Sequence, residues 1–367
     1  MKTNLFFFVS DFSFGGASNS ILNFISLLNL DKFKIFMVYV GKSDYKNVLP
    51  KYITAINIKT NGKYLLTFRS FFKIKKIIKK LIIKNEKNVF ISNIHYCNII
   101  SILFLRNIKN LKLIVFERTS LKELNYFSSL TIFLKNQIIK LLLKNFYQKA
   151  DLILTNCNSL KKELNEKKLI AKVVYSATID KLLPKKKFNK IMFFNIIAVG
   201  RLTFQKDYFT ILKSIKLIKK DNFILKIYGK GELKDKIIKF IKKNKLTKKV
   251  RVIGHVQNKN SIYAHADLLI HASIFEGLPN NIVEAINYSV PVIAANSAGG
   301  TSEILKNGRY GSLFETSNYI KLASKINEFL QKPTSLQKKI IKGRKELKKF
   351  VRLNTTKELE KKIDSLF

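Results

Sequence analysis

The sequence is poor in cysteine and has no long apolar run. Cys97 and Cys157 are the 2 cysteines among 367 residues and no CxxC pair occurs, so neither a disulfide framework nor a zinc motif is expected. No apolar run approaches the ~18–20 residues that span a bilayer. The opening LFFFVS is stopped by Asp11 without a small-residue cleavage site, so no signal peptide is expected. These features and the length predict a cytoplasmic protein of about two domains.

Acidic residues are also scarce: 24 Asp and Glu face 69 Lys and Arg, which gives a net charge of +45. The excess is +21 in residues 1–183 (31 basic, 10 acidic) and +24 in residues 184–367 (38 basic, 14 acidic). An even spread is typical of compositional bias, whereas a nucleic-acid footprint is usually concentrated. We therefore expect no nucleic-acid partner, while contact with an anionic membrane surface stays open.

Strand-like and helix-like segments alternate in both halves of the chain. This alternation predicts two doubly wound parallel α/β sheets, with ligand-binding loops at the carboxyl ends of the strands. KLLPKKKFNK at residues 181–190 is the best linker candidate between them. The predicted strands are Asn4–Val9, Lys34–Val40, Asn88–Ser92, Leu111–Phe116 and Asp151–Thr155, then FFNIIAVG, FILKIYG, KVRVIG, DLLIHAS and VPVIAAN. The predicted helices include Ala17–Leu28, Arg69–Lys84, Tyr208–Lys220, Leu233–Asn244 and Asn280–Tyr288.

The Arg69–Lys84 segment separates apolar from basic residues at helical spacing. One face carries Ile74, Ile77, Ile78, Leu81 and Ile82, and the other carries Lys73, Lys75, Lys76, Lys79 and Lys80. The pattern favours a surface helix that packs on the sheet. Docking of its lysine face on anionic lipid is the alternative.

Two loops after predicted strands have the composition of phosphate-binding sites. FGGAS brings Gly15 and Gly16 to the start of a helix, where a backbone without side chains lets a phosphate approach the free N–H groups. VGRLTFQKDY places Arg201 and Lys206 around a turn, a sensible clamp for a diphosphate. YGKGEL lacks the third glycine of a dinucleotide fingerprint.

The stretch FEGLPNNIVEAINYSVPVIAANSAGG from Phe275 to Gly300 differs from the rest of the chain in charge. Between Asn260 and Leu305 there is no Lys or Arg. Glu276 precedes a predicted helix and Glu284 lies inside it among apolar neighbours, where a buried carboxylate needs a hydrogen-bonding partner such as a ligand diol. We hypothesise that a lysine inside this segment would pair with Glu276 or Glu284 and occupy the place of the ligand's hydroxyls.

The ordered set of motifs resembles the retaining GT-B glycosyltransferases of the "glycosyltransferase family 4" type. Glu276 and Glu284 form the family's E-x7-E pattern within FEGLPNNIVEA, followed by VPVIAAN and GGTSEIL. The resemblance also includes FGGAS, FERTS at 116–120, ADLILTNCNSLKKEL at 150–164, VVYSATID at 173–180 and VGRLTFQKD at 199–207. It thus covers nearly the whole chain.

The resemblance implies two Rossmann-like domains that face each other across a cleft. Residues 1–183 would form the acceptor-side domain, residues 184–345 the nucleotide-sugar-binding domain, and residues 346–367 a helix that returns to the first domain. No cofactor or metal is implied, and no DxD cluster is present to bind one. The nucleotide sugar would be a co-substrate, and transfer would retain the anomeric configuration.

The resemblance also assigns roles to residues. Glu284 would hold the donor ribose, Glu276 would contact the donor sugar, and Arg201 with Lys206 would neutralise the diphosphate. The implied donor-binding set is Gly15, Gly16, Arg201, Lys206, Gly277, Leu278 and Glu284. The implied catalytic set is Glu276, Arg201, Lys206 and Arg118. His95, at the end of another predicted strand, is a further acceptor-side candidate, and His271 reads as a structural strand-end histidine.

The substrates implied by the resemblance are a UDP-linked hexose or N-acetylhexosamine and a glycan or lipid-linked acceptor. The setting would be synthesis of surface polysaccharide, lipopolysaccharide or capsule, in the cytoplasm or peripherally on the inner face of the membrane. Two alternatives stay open. One is a nucleotide-sugar epimerase or phosphorylase of the same fold, and the other is a non-enzymatic basic protein that binds membrane or nucleic acid.

Overall fold

The computed structural model describes residues 2–10, 12, 16–40, 43, 49–58, 68–126, 130–186, 188–189 and 191–367, without the side chains of Ala17, Phe68 and Arg69. Contacts divide the chain into two compact units. The first unit is Met1–Ala177 with Arg352–Phe367, and the second unit is Thr178–Val351. Each unit is an α/β domain built on its own parallel sheet.

Strands and helices alternate along the chain as the sequence predicts. The strands are β1 Thr3–Val9, β2 Phe33–Val40, β3 Thr54–Ile58, β4 Asn88–Asn93, β5 Lys112–Glu117, β6 Leu152–Thr155, β7 Ala171–Val173, β8 Phe194–Val199, β9 Phe223–Tyr228, β10 Val250–Gly254, β11 Leu268–His271, β12 Val292–Ala295 and β13 Ser312–Phe314. The helices are α1 Gly16–Ile25, α2 Phe68–Leu81, α3 His95–Leu105, α4 Leu130–Phe146, α5 Asn158–Asn165, α6 Tyr208–Lys216, α7 Lys234–Lys243, α8 Lys259–Tyr263, α9 Asn280–Asn287, α10 Thr301–Ile304, α11 Tyr319–Gln331, α12 Pro333–Gly343 and α13 Arg352–Asp364. Short 3-10 turns cover Leu121–Asn125, Tyr147–Lys149, Phe204–Lys206 and Arg344–Phe350.

The first unit has a seven-stranded parallel sheet in the order β3-β2-β1-β4-β5-β6-β7. Its central strand is apolar almost throughout because helices cover both faces. Alternate side chains of β1 enter different cores: Phe6 and Phe8 pack with residues of α2, α3 and α4, whereas Leu5 and Phe7 pack with residues of α1 and α13. The sheet is therefore doubly wound, and the C-terminal helix α13 is part of the first unit.

The second unit has a six-stranded parallel sheet in the order β10-β9-β8-β11-β12-β13. Its central strands β8 and β11 lie side by side, and the chain winds away from them in opposite directions. Such a switch point leaves a crevice outside the carboxyl ends of the two central strands, where ligands bind in open α/β sheets. The prediction of two doubly wound Rossmann-like sheets is confirmed.

The unit boundaries differ from the predicted ones by six residues at each crossing. The chain enters the second unit after Ala177 instead of after residue 183, and leaves it after Val351 instead of after residue 345. The predicted linker begins inside the second unit because its backbone is bonded there. The Leu183 N–H donates to Asn287 Oδ1 at 3.1 Å, and the Leu183 carbonyl accepts a hydrogen bond from Arg344.

No helix among the described residues combines the length and the apolar character that a bilayer crossing requires.

Candidate functional site

The loops that follow β8 and β11 meet at the switch point of the second unit. The Ile274 N–H donates to the Gln205 carbonyl at 2.9 Å, and Gln205 Nε2 donates to the Phe275 carbonyl at 2.8 Å. The short turn Phe204–Lys206 is thereby fixed against the segment that carries Glu276. This arrangement brings two of the predicted site residues, Lys206 and Glu276, into direct contact.

Lys206, Glu276 and His271 form one buried polar cluster. Lys206 Nζ forms an ion pair with Glu276 Oε1, and His271 Nε2 lies 3.5 Å from the same oxygen. The other ring nitrogen of His271 is 3.0 Å from Asn281 Nδ2, which also donates to the Val199 carbonyl at 2.8 Å. The cluster thus joins the ends of β8 and β11 to the first turn of α9.

Burial and charge act on the pKa values of this cluster in different directions. Burial by itself raises the pKa of Glu276, but Lys206 and then His271 outweigh it, so that the pKa lies below its usual value. Burial lowers the pKa of His271 to about 4, against a smaller opposing effect of Glu276. At neutral pH His271 is therefore a neutral imidazole beside an ionised Glu276.

Acidification should destabilise the protein through His271. Its pKa is depressed from 6.5 to about 4 on folding, so the unfolded chain binds the proton first as the pH falls through this window. The contribution of neutral His271 to the free energy of unfolding is complete above pH 6.5 and is lost towards pH 4. At pH 5 the free energy of unfolding should be lower than at pH 7 by roughly 2 kcal/mol. Urea unfolding of the wild type and of His271→Gln, each at pH 7 and pH 5, measures it.

The comparison between the two proteins removes the titration of other groups, including His95. We expect the free energy of unfolding of the wild type to fall by roughly 2 kcal/mol more than that of His271→Gln on going from pH 7 to pH 5. Equal losses in the two proteins would show that His271 takes up its proton as readily in the folded chain as in the unfolded one.

Arg201 lies in the same loop but is exposed. Its side chain has no hydrogen-bond or ion-pair partner among the described residues of the chain. Asp207 ends the loop in a left-handed conformation (φ 43°) and caps α6, accepting from Thr210 Oγ1 at 2.8 Å. The loop therefore offers, at the carboxyl end of β8, one guanidinium that no described residue binds and one partly buried ammonium.

Glycines allow the site loops to pack backbone to backbone. A Cβ on Gly299 (φ +105°) would lie 2.1 Å from the carbonyl oxygen of Glu276, and a Cβ on Gly229 would lie 1.9 Å from that of Gly200. Gly231 meets the backbone of Leu202 in the same way, at 2.4 Å. The GKG segment therefore supports the Arg201 loop by close packing, and the GG pair at 299–300 supports the Glu276 loop.

Glu284 lies on α9 and is held by two residues of α8. Its Oε2 accepts a hydrogen bond from the Tyr263 hydroxyl at 2.8 Å, and its Oε1 is 2.6 Å from Lys259 Nζ. Lys259 Nζ also lies 3.3 Å from the Thr178 carbonyl, and the Tyr263 ring stacks on Tyr288 at 5.4 Å. The protein itself thus supplies a hydrogen-bonding partner for the Glu284 carboxylate, which the sequence pattern led us to expect from a ligand diol.

Both glutamates nevertheless have a lysine partner. Lys206 pairs with Glu276 and Lys259 pairs with Glu284; Lys259 directly precedes the segment that has no basic residues, whereas Lys206 reaches it from the loop after β8. An ionised carboxylate offers about four acceptor positions, so one lysine and one hydroxyl leave room on Glu284 for a bidentate diol. The i, i+4 spacing of Lys259 and Tyr263, on one face of α8, is the sequence signal for this pairing.

The first unit contains a separate polar cluster at the carboxyl ends of β4 and β5. Arg118 is buried and enclosed: Nε donates to Asn93 Oδ1 at 2.7 Å, one terminal nitrogen donates to Ser20 Oγ at 3.1 Å, and the guanidinium lies 3.9 Å from the centre of the Phe116 ring. Burial lowers the pKa of Arg118 to about 9. The partners of this side chain among the described residues suit a role in holding the loop; its predicted catalytic role stays a prediction.

Glu117 is fully buried beside Arg118 and was not among the predicted catalytic residues. Tyr147 donates to its Oε2 at 2.7 Å, and His95 Nδ1 lies 3.8 Å from its Oε1, beyond hydrogen-bond distance. Burial lowers the pKa of His95, but Glu117 outweighs this and raises the pKa above its usual value. His95 and Glu117 thus form a buried pair.

The remaining candidates fall in both units. Gly277 and Leu278 are buried in the turn between Glu276 and α9. Gly16 is the exposed first residue of α1, and Gly15 lies outside the described residues. The structure brings Arg201, Lys206, Glu276 and the Gly277-Leu278 turn together at one switch point.

Comparison with known proteins places the chain among glycosyltransferases. Residues 180–347 match the family model described as glycosyl transferases group 1, and they include every candidate of the second unit. The chain is 32% identical over 277 residues to an uncharacterized glycosyltransferase of Methanocaldococcus jannaschii, covering 69% of this chain and 66% of that protein. The chain belongs to the group 1 glycosyltransferase family. Its fold is GT-B.

One further relative matches by sequence, and one solved structure matches by fold. The chain is 26% identical over 325 residues to the N-acetylgalactosamine-N,N'-diacetylbacillosaminyl-diphospho-undecaprenol 4-alpha-N-acetylgalactosaminyltransferase of Campylobacter jejuni, covering 85% of this chain and 86% of that one. Among solved structures, Anabaena HepE in complex with UDP-glucose superposes with a TM-score of 0.80 at 17% identity, over 99% of both chains. The family membership thus rests on sequence, and the whole-chain fold on structure.

Proposed function

We propose that the protein is a retaining glycosyltransferase that moves a hexose or N-acetylhexosamine from a UDP-sugar to a hydroxyl of a glycan or lipid-linked acceptor. The observation that carries the proposal is the Lys206–Glu276 ion pair at the β8–β11 switch point, with the exposed Arg201 in the same loop. Cations placed there suit a diphosphate leaving group, and a carboxylate beside them suits a sugar ring that gains positive character.

The proposed roles follow the positions of the side chains. Arg201 and Lys206 bind the diphosphate, with the first turn of α9 adding backbone N–H groups that favour negative charge. Glu284, held by Tyr263, accepts hydrogen bonds from the ribose hydroxyls. Glu276 contacts the donor sugar next to the bond that breaks. No metal takes part in this proposal because the two basic side chains supply the positive charge.

The chemical step we propose needs no protein nucleophile. The sugar–phosphate bond breaks, its electron pair goes to the diphosphate oxygen, and the acceptor oxygen attacks from the same face. Attack from the same face retains the configuration of the anomeric carbon. The leaving oxygen takes the proton of the acceptor hydroxyl, which balances the charge. Trapping of a glycosyl adduct on Glu276 would contradict this step.

Similar proteins support the choice of substrates. Anabaena HepE binds UDP-glucose, and the C. jejuni relative is an N-acetylgalactosaminyltransferase acting on a diphospho-undecaprenol acceptor. A uridine donor and a lipid-linked glycan acceptor at the cytoplasmic face of a membrane are therefore the substrates to test first.

The test is incubation of the protein with radiolabelled UDP-sugars and extracted lipid-linked oligosaccharides. We expect release of UDP, entry of label into the lipid fraction and an α-linked product from an α-linked donor. Label recovered as an epimerised nucleotide sugar would show an epimerase, and label recovered as sugar 1-phosphate would show a phosphorylase. Binding of lipid without consumption of any donor would favour a non-enzymatic protein.

Glu284→Gln should raise the donor KM more than it lowers kcat. The ribose contact is present in both the ground state and the transition state, so its loss weakens binding uniformly. A charge-assisted hydrogen bond contributes ~1.5–3 kcal/mol, so the expected rise in KM is roughly 10- to 100-fold. Initial rates of UDP release over a range of donor concentrations measure both constants.

Tyr263→Phe is the companion variant, since it removes one of the two groups that hold Glu284 and leaves Lys259 in place. We expect a smaller rise in KM, about five-fold, with kcat unchanged. A fall in kcat with constant KM in either variant would place Glu284 at the reacting centre and not at the ribose.

A further inference from the structure

Helix α4 exposes an apolar stripe along its length. Leu130, Leu134, Ile138 and Leu141 are 65%, 53%, 57% and 62% exposed. Their spacing places them within roughly 80° of the helix circumference. Lone exposed apolar side chains are ordinary, whereas a continuous stripe on a soluble domain marks an interaction surface.

The opposite side of α4 is the one that packs on the domain. Ile139 and Leu143 are buried in the core that also contains Phe8 and Phe90, and α4 packs against α3. The helix is therefore apolar on two sides, and the described residues of the first unit cover only one of these sides. The outward stripe has no role in the core of the first unit.

The flanks of the stripe are basic. Lys140 and Lys144 lie on one side and Lys135 on the other, and α4 contains no acidic residue. Exposed apolar side chains also occur on other helices of the same core: Leu103 on α3, which packs against α4, and Phe72 on α2, which is 60% exposed and packs on Phe104 at 5.0 Å. Lysines beside an apolar stripe can keep their ammonium groups at the level of lipid headgroups while the stripe enters the acyl region.

We propose that the α4 stripe, defined as Leu130, Leu134, Ile138 and Leu141 with Lys135, Lys140 and Lys144, docks the protein on an anionic lipid bilayer. The net charge favours an anionic bilayer over a second copy of the chain as the partner of this stripe. A second copy of the chain would bring two bodies of net charge +45 together, whereas an anionic bilayer attracts the same lysines. The proposal is independent of the glycosyltransferase activity and moves the membrane contact from the lysine face of α2 to α4.

The test is sedimentation of the full chain with phosphatidylcholine vesicles that contain or lack phosphatidylglycerol. We expect binding to the anionic vesicles only. The stripe variant, with Leu130, Leu134, Ile138 and Leu141 changed to Gln, should partition roughly ten-fold or more weakly. The matched control changes four exposed aliphatic residues elsewhere, Ile170, Leu217, Ile253 and Ile320, to Gln and should bind like the wild type.

Charge is tested separately with two variants of equal net charge. Changing Lys135, Lys140 and Lys144 to Gln should lower partition by roughly 100-fold, since each lysine near an anionic surface contributes about five-fold. Changing Lys236, Lys239 and Lys243 of α7 to Gln removes the same charge from the second unit and should have little effect. Thermal unfolding of every variant confirms that it is folded.

Three results would overturn the proposal. Wild-type protein that stays in the supernatant with anionic vesicles has no such surface. Equal partition of the stripe variant and its control would place the contact elsewhere. A wild type that is dimeric in analytical ultracentrifugation and a stripe variant that is monomeric, with equal vesicle binding, would show that the stripe joins two copies of the chain.

Discussion

Lys206→Met is expected to lower kcat by roughly 100- to 1,000-fold, the range seen when one preorganised group that stabilises a transition-state charge is removed. Two effects add. The leaving diphosphate loses a cation at the moment when its charge develops, and Glu276 loses its ion-pair partner inside a buried cluster. A buried carboxylate without a partner has a raised pKa, so its negative charge is also less available.

Lys213→Met is the matched control, because it removes the same charge from an exposed position on α6 in the same unit. Its rate should lie within about two-fold of the wild type, since an exposed charge is largely screened. Steady-state UDP release at saturating donor measures kcat for both variants. A Lys206→Met enzyme that is folded and within about three-fold of wild-type kcat would remove Lys206 from the proposed diphosphate clamp.

Glu276→Gln should lower kcat by about 100-fold with a smaller change in donor KM. The substitution keeps the size of the side chain but removes the charge that faces the sugar, where positive character is greatest in the transition state. It also leaves Lys206 without its partner. The combination of low kcat and nearly constant KM is the reverse of the result expected for Glu284→Gln, which separates the two glutamates.

A double-mutant cycle with Lys206→Met sharpens this prediction. Residues in direct contact are not additive, so the double variant should be much less impaired than the product of the two single effects. Steady-state rates of the four proteins give the coupling. Fully multiplicative effects, or equal kinetics for Glu276→Gln and Glu284→Gln, would contradict the proposed division of roles.

The fold could be predicted from the sequence wherever an element has one clear period. β1 is a buried apolar run, and α2 separates apolar from lysine positions, so both were found to within three residues of their observed ends. The short edge strands β3, β7 and β13 were missed because three to five residues carry too little pattern. The helix α4 was missed for a different reason: apolar residues on two faces erase the single-face periodicity that marks a surface helix.

The candidate site could be predicted as a set of residues but not as a set of contacts. The strand–loop pattern and the spacing of Glu276 and Glu284 pointed to the end of the second sheet where the structure brings Lys206 and Glu276 together, because parallel strands share that edge. The pairing with Lys206 and Lys259 could not be read from the charge-poor segment, since the lysines reach it from other loops. Arg118 looked equally available in sequence, and only the packing on Phe116 and the bond to Asn93 show that it is enclosed.

A crystal structure of the protein with bound UDP would show directly whether the β8–β11 switch point binds the donor. We expect the ribose hydroxyls on the carboxylate of Glu284, with Tyr263 still bonded to it, and the diphosphate between Arg201, Lys206 and the first turn of α9. UDP bound elsewhere in the second unit, or with its diphosphate away from Arg201 and Lys206, would contradict the assignment of this switch point as the donor site.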